Sequence, residues 1–146
     1  MGQGSAAAVT LFTVGYEGRS ADEVVAALRQ AGVTLLIDVR ELPLSRKKGL
    51  SKTALSERLA GAGIRYRHVR SAGNPYREQR ADVARCLALY EDHLRRKPDV
   101  VDELIEMARD GRAALLCFEK DPCSCHRSIL ARHMRERAPA ISVTDV

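Results

Sequence analysis

Residues 113–134 read AALLCFEKDPCSCHRSILARHM, an apolar run that breaks at a short polar turn and resumes as a helical pattern. Ala113 to Phe118 has the unbroken apolar character of a strand covered on both faces. Beyond Asp121-Pro122, the residues Ile129, Leu130, His133 and Met134 recur at helical spacing. The turn between them gathers Cys117, Glu119, Cys123, Cys125, His126 and Arg127. An open α/β sheet takes its ligand at such a turn, outside the carboxyl ends of its strands and beside a helix N-terminus. The stretch therefore predicts a fold class and the place of a site, without naming a substrate.

The rest of the chain alternates in the same way. Val9–Val14 reads as a short strand ending in Gly15-Tyr16-Glu17-Gly18. Ser20 with Glu23 three residues on forms a capping box, Val24, Val25, Leu28 and Ala31 give the helix its apolar face, and Gly32 closes it. Val33–Val39 is a second buried strand, Arg40–Leu50 a basic loop, and Ser51 the start of a second helix. Ile64–Val69 alternates, with Tyr66 and His68 opposite Arg65 and Arg67, as expected of an edge strand with one wet face. Helices are predicted from about Asp82 to Arg95 and from Pro98, in a position proline tolerates, to Asp110-Gly111. Ala140–Asp145 is available as a fifth strand. Strand–helix alternation with short connections predicts an α/β domain, a single doubly wound, mainly parallel sheet of about five strands flanked by helices. The strand order expected is 3-2-1-4-5, with Gly15 and Cys125 sharing one pocket. Residues 1–8 are expected to be a loose tail and 9–146 a single domain.

With 146 residues, 45% of them hydrophobic, the chain suits one ordinary core. It holds no apolar run near the ~20 residues of a membrane span, and its first residues lack the pattern of a signal peptide. Crowding of three of the four cysteines into 117–125 favours reduced thiols and a cytoplasmic setting over disulfides. Charge is uneven: Arg40–Arg85 carries 12 Lys and Arg against 4 Asp and Glu, and the remainder 12 against 15. That middle third suggests a phosphate-bearing small molecule or nucleic acid as partner, or else a solvated basic surface.

All strand ends would meet on one rim, and each candidate there has a plain alternative. Gly15 and Tyr16 open a turn suited to a phosphate beside a capped helix, or simply a tight turn. Asp38 and Arg40 end a buried strand, as a structural ion pair or as acid/base and anion ligand. Ser45, Arg46 and His68 are further candidates for binding an anion. Glu119 suits a general base. Cys125 at a helix start beside His126 and Arg127 suits a thiolate, while His126 and Arg127 equally suit an anion. Cys117, Cys123, Cys125 and His126 could in number hold zinc, but their spacing does not match paired knuckles. No metal or cofactor is expected. Cys86, between Val83 and Leu87, reads as core.

Leu36-Ile37-Asp38-Val39-Arg40 is similar to a strand of rhodanese domains, which carry a catalytic cysteine in a basic loop. More of the chain resembles the domain-of-unknown-function 488 family. The resemblance rests on Thr13-Val14-Gly15-Tyr16, on Leu36 to Arg40 with Pro43 and Ser45-Arg46, and on Gly63-Ile64 with Tyr66 and His68. It continues with Leu115-Leu116-Cys117, Glu119, Pro122 and Cys125-His126-Arg127. It implies a small cytoplasmic α/β domain of prokaryotic type, with no established activity. The matching positions are Gly15, Asp38, Arg40, Pro43, Ser45, Arg46, His68, Glu119, Cys125, His126 and Arg127. Gly18 and Ala72-Gly73-Asn74-Pro75 depart from the family's usual residues, which bears on the shape of the pocket. Three functions follow as expectations: an enzyme on a nucleotide or nucleic-acid-derived substrate, a non-catalytic binding module for such ligands, and a rhodanese-like sulfur carrier.

Overall fold

The capping box read at Ser20 is formed in the computed structural model, which describes residues 8–76, 82–118 and 126–146. Ser20 Oγ accepts from the Glu23 N–H at 3.1 Å, and a Glu23 carboxylate oxygen accepts from the Ser20 N–H at 2.8 Å. Two of the first-turn donors are thereby satisfied, and helix α1 (Ala21–Gln30) runs on from β1 (Val9–Gly15). Next come β2 (Leu35–Asp38), α2 (Lys52–Gly61) and β3 (Arg65–His68), then a 3-10 turn at Arg70–Ala72. The chain ends with α3 (Val83–Arg95), α4 (Pro98–Arg109), β4 (Ala113–Cys117), α5 (His126–Arg137) and β5 (Ile141–Asp145). Among the described residues no helix is long and apolar enough to cross a membrane.

The five strands form one wholly parallel sheet in the order β3-β2-β4-β1-β5. This corrects the expected 3-2-1-4-5 at its centre, because β4 lies between β2 and β1. Ala113 pairs with Leu11 on one side and Leu35 on the other. The central place goes to a strand buried at every position, whereas β1 begins half-exposed at Val9 and Thr10. Adjacent strands in sequence usually sit together, but α1 carries the chain across one intervening strand. β3 is an edge strand as expected, with Arg65 and Arg67 exposed and Tyr66 and His68 half-buried.

Two apolar clusters cover the two faces. Phe12, Leu36 and Leu116 pack with α1 and α2 through Val24, Leu28, Leu55 and Leu59. Their immediate neighbours Leu11, Ile37 and Leu115 pack with α3, α4 and α5 through Leu94, Leu104 and Leu130. Alternation along each strand serves both layers, so no polar face appears in these runs. The chain reverses direction after β3, and right-handed crossovers require it to change face there. The outgoing chains of neighbouring β2 and β4 therefore part toward opposite edges and opposite faces. The crevice at their carboxyl ends is the topological switch point.

One close approach supports this rim from beneath. A Cβ on Gly73 would lie 2.5 Å from Glu41 Cα and 2.6 Å from its nitrogen. Both are backbone atoms at the root of the loop after β2, which cannot yield as a side chain would. Gly73→Ala is expected to lower stability by about 1–3 kcal/mol, the usual cost of overpacking. The check is urea unfolding, with a lower midpoint at unchanged slope. An unaltered midpoint would mean the two loops are not held in contact.

Candidate functional site at the carboxyl ends of β2 and β4

β2 ends in Asp38, fully buried, and Arg40 two residues on is 5% exposed. The pair is bidentate: Arg40 Nε donates to Asp38 Oδ1 at 2.8 Å and Nη2 to Oδ2 at 2.6 Å. The Arg40 backbone N–H adds a bond to Oδ1 at 3.1 Å, and the Tyr66 hydroxyl donates to Oδ2. With four donors, this carboxylate serves as an anchor and is poorly placed to exchange protons. Arg40 Nη1 donates to Leu50 O at 2.7 Å, and the guanidinium lies 5.4 Å from the centre of the Tyr16 ring. Burial opposes the guanidinium charge, but the Asp38 hydrogen bonds and charge, with help from Tyr16, hold its pKa above the usual value. Burial and Asp38 likewise raise the Tyr66 phenol, so it remains a donor.

Two histidines grip the backbone that leaves β2. His68 Nε2 donates to Arg40 O at 2.7 Å, and His126 Nε2 donates to Val39 O at 2.8 Å. A carbonyl only accepts, so both rings carry their proton on Nε2. Burial pushes the His126 imidazole down to about 4, and the Arg127 charge acts in the same sense against the Val39 bond and Asp38. His126 is therefore neutral at physiological pH.

The loop from Glu41 to Ser51 is built on this base. Ser51 stands at the N-cap of α2 but directs its hydroxyl to Ser45, accepting from Ser45 N at 3.0 Å. Lys47 N donates to Ser45 Oγ at 3.0 Å, and Leu50 is wholly buried. Lys47 Nζ reaches across to Tyr16 O at 3.0 Å and Arg19 O at 3.1 Å. Arg46 and Lys48, on either side of it, are exposed, and their side chains make no hydrogen bond or ion pair among the described residues.

At the end of β1, Gly15 pairs in register with Cys117. Tyr16 N donates to Cys117 O at 3.3 Å and Glu17 N to Phe118 O at 2.8 Å. Those two N–H groups extend the sheet and are taken up by Cys117 O and Phe118 O. Arg127 is the largest wholly buried side chain among the described residues. It donates to Cys117 Sγ at 2.9 Å and to Asp145 Oδ1 at 3.2 Å, and Thr13 Oγ1 donates to the same oxygen at 2.7 Å. Its charge is met from within, joining α5, β4 and β5.

The rim thus brings together Gly15, Tyr16, Asp38, Arg40, Ser45, Arg46, His68, His126 and Arg127. Of these, Arg46 alone presents a charged group with no side-chain partner among the described residues. Glu119, Cys123 and Cys125 lie outside the described residues, and so does the expected shared pocket of Gly15 and Cys125. Cys117 is disulfide-bonded, against the reduced thiols expected for the cluster, while Cys86 is a free, buried thiol packed in the core as read. Among the described residues no group of three His, Cys, Asp or Glu is arranged for a metal ion. Sequence reasoning missed Tyr66, Lys47 and Phe118 as members of the site. Tyr66 was open to detection, since the alternation of β3 puts it on the same face as His68.

The family model described as "Domain of unknown function DUF488" matches residues 20–134, most of the chain. No curated protein and no solved structure matches it.

Proposed function

We propose, from the premise that this chain belongs to the DUF488 family, that it is an enzyme acting on a phosphate-bearing nucleotide or nucleic-acid-derived substrate. The substrate binds at the carboxyl rim of the sheet. The observation that carries this reading is the sorting of cations there. Arg40 and Arg127 are buried and paired with Asp38 and Asp145, so they build the frame. Arg46, Lys48 and Lys52 stand exposed at the same rim, with no side-chain partner among the described residues. Uncompensated cations at a switch point suit an anion. Glu119 as acid/base and Cys125 as nucleophile are carried by the sequence pattern alone. They belong to the segment between Phe118 and His126, both of which stand at this rim.

A non-catalytic binding module is the second reading. Saturation of Asp38 with donors and the neutral, locked His126 favour it, since two of four candidate catalytic groups are engaged in structure.

Thermal stabilisation by phosphate, mononucleotides, short DNA and short RNA separates these readings. Stabilisation is expected from phosphate-bearing ligands and should weaken with salt. For a single strand held by three cations, log affinity should fall with log salt at a slope of about −2. Conversion of a stabilising ligand, lost in a folded Glu119→Gln variant that still binds, establishes the enzyme. Binding without conversion in wild type establishes the module. Absence of stabilisation by every phosphate-bearing ligand overturns both.

A further inference from the structure

Four large apolar side chains are exposed among the described residues: Leu42, Leu44, Val83 and Phe118. Single exposed hydrophobics are ordinary on a protein surface. Phe118 differs in its position and its support. It is the first residue beyond β4, at the switch point, and it is 39% exposed. Its carbonyl accepts from Glu17 N at 2.8 Å, which fixes its backbone to the β1 turn. Its ring meets the Tyr16 ring edge-on, at 5.4 Å between centres and 80° between planes. Tyr16 is itself 4% exposed and backed by the Arg40 guanidinium. The ring of Phe118 is therefore supported on one side while 39% of the residue is open to solvent.

A cation-bearing loop is tethered to Tyr16, the residue that supports this ring. Lys47 Nζ bonds Tyr16 O, so the loop backbone passes within one lysine side chain of the residue that supports Phe118. Arg46 and Lys48 flank Lys47, each about 3.8 Å away along the chain, and both are exposed, with no side-chain partner among the described residues. An exposed aromatic ring and a loop with two exposed cations, joined through Tyr16, match the two chemical halves of a nucleotide. The base stacks on a ring, and the phosphate takes the charge.

We propose that Phe118 is a stacking platform for a nucleobase and that Arg46 and Lys48 hold the attached phosphate, making a nucleotide subsite at the rim. This deepens the phosphate-ligand reading above and rests on it. A free mononucleotide and a nucleotide within a single strand present the same chemistry. Stacking accepts any base, so the subsite discriminates nucleotides from sugar phosphates more than one base from another.

The test measures affinities of adenosine monophosphate, ribose 5-phosphate and a short single-stranded oligonucleotide by calorimetry. The proteins are wild type, Phe118→Ala, Phe118→Leu and the double variant Arg46→Ala/Lys48→Ala. Wild type is expected to prefer adenosine monophosphate or the oligonucleotide to ribose 5-phosphate by about tenfold. Both Phe118 variants should lose that preference, and the double variant should weaken every ligand alike. The chain contains no tryptophan, so Phe118→Trp adds a unique fluorophore that base stacking should quench. Quenching by the mononucleotide identifies a free nucleotide as the source, and quenching by the oligonucleotide alone identifies a strand. Equal binding of nucleotide and ribose phosphate, or a preference that survives both Phe118 variants, overturns the subsite and leaves the phosphate reading standing. Failure of all three ligands to bind wild type overturns the phosphate reading and the subsite together.

Discussion

Asp38→Ala is expected to cost about 3–5 kcal/mol of folding stability, because it leaves the Arg40 charge buried without its partner. Asp38 is wholly buried and Arg40 nearly so, and neither can recover the lost bonds from water without opening the rim. For a chain of this size the melting temperature should fall by about 10 °C or more. Tyr66 would lose its acceptor in the same step, and the loop rooted at Arg40 would lose its fixed origin. The informative comparison is the double variant Asp38→Leu/Arg40→Met. Replacing a buried ion pair with apolar groups of similar volume is often tolerated where removal of one partner is not. The double variant should therefore recover most of the loss in urea unfolding. Equal instability of the single and double variants would place the cost outside the ion pair. A small effect in Asp38→Ala alone would mean that the site is open enough for water to solvate Arg40.

Much of the architecture is legible in one dimension because each apolar run has a single reading. Leu35–Asp38 and Ala113–Cys117 are buried on both faces, so they show no alternation and announce a parallel sheet. The capping box at Ser20 pairs it with Glu23, three positions on, and needs no tertiary context. Strand order is different in kind. Nothing in a run of apolar residues says which neighbour it takes, and β1, β2 and β4 are interchangeable by pattern. The swap of β1 and β4 changes which connections diverge. It moves the switch point from β1/β4 to β2/β4, so the site centres on Asp38 and Arg40 and not on the Gly15 turn.

Site residues were legible as types and much less as roles. Ser51 sits where a cap belongs, yet its hydroxyl closes the loop on Ser45. Arg127 resembles an anion ligand in sequence, since it opens a helix beside a cysteine. In three dimensions β5 brings Asp145 to it from 18 residues away and the sheet covers it. An Arg127→Ala variant consequently reports on the packing of α5, β4 and β5. Arg46 is one of seven exposed or half-exposed cations from Arg46 to Arg67, and nothing in the sequence separates it from Lys47 as the one left exposed. Commitment of a charge is set by tertiary partners, which spacing does not encode.

The buried imidazole of His126 gives stability a pH dependence of definite sign. In the unfolded chain it titrates near 6.5, whereas burial lowers it to about 4 in the fold. Above pH 6.5 it is neutral in both states and contributes no slope. Between pH 6.5 and about 4 only the unfolded chain takes up the proton, so acid favours unfolding by about 1.4 kcal/mol per pH unit. Across that window His126 alone should remove about 3 kcal/mol, while acidic ion pairs elsewhere contribute losses of their own. His126→Gln isolates the imidazole, since a carboxamide N–H can still donate to Val39 O but does not titrate in this range. Urea unfolding at pH 7 and pH 4.5 should show the wild type losing about 2–3 kcal/mol more than the variant. Parallel losses in the two proteins would mean that His126 is protonated in the fold. Its ring would then be solvated, and the crevice between β2 and β4 would be open to water at the level of Val39.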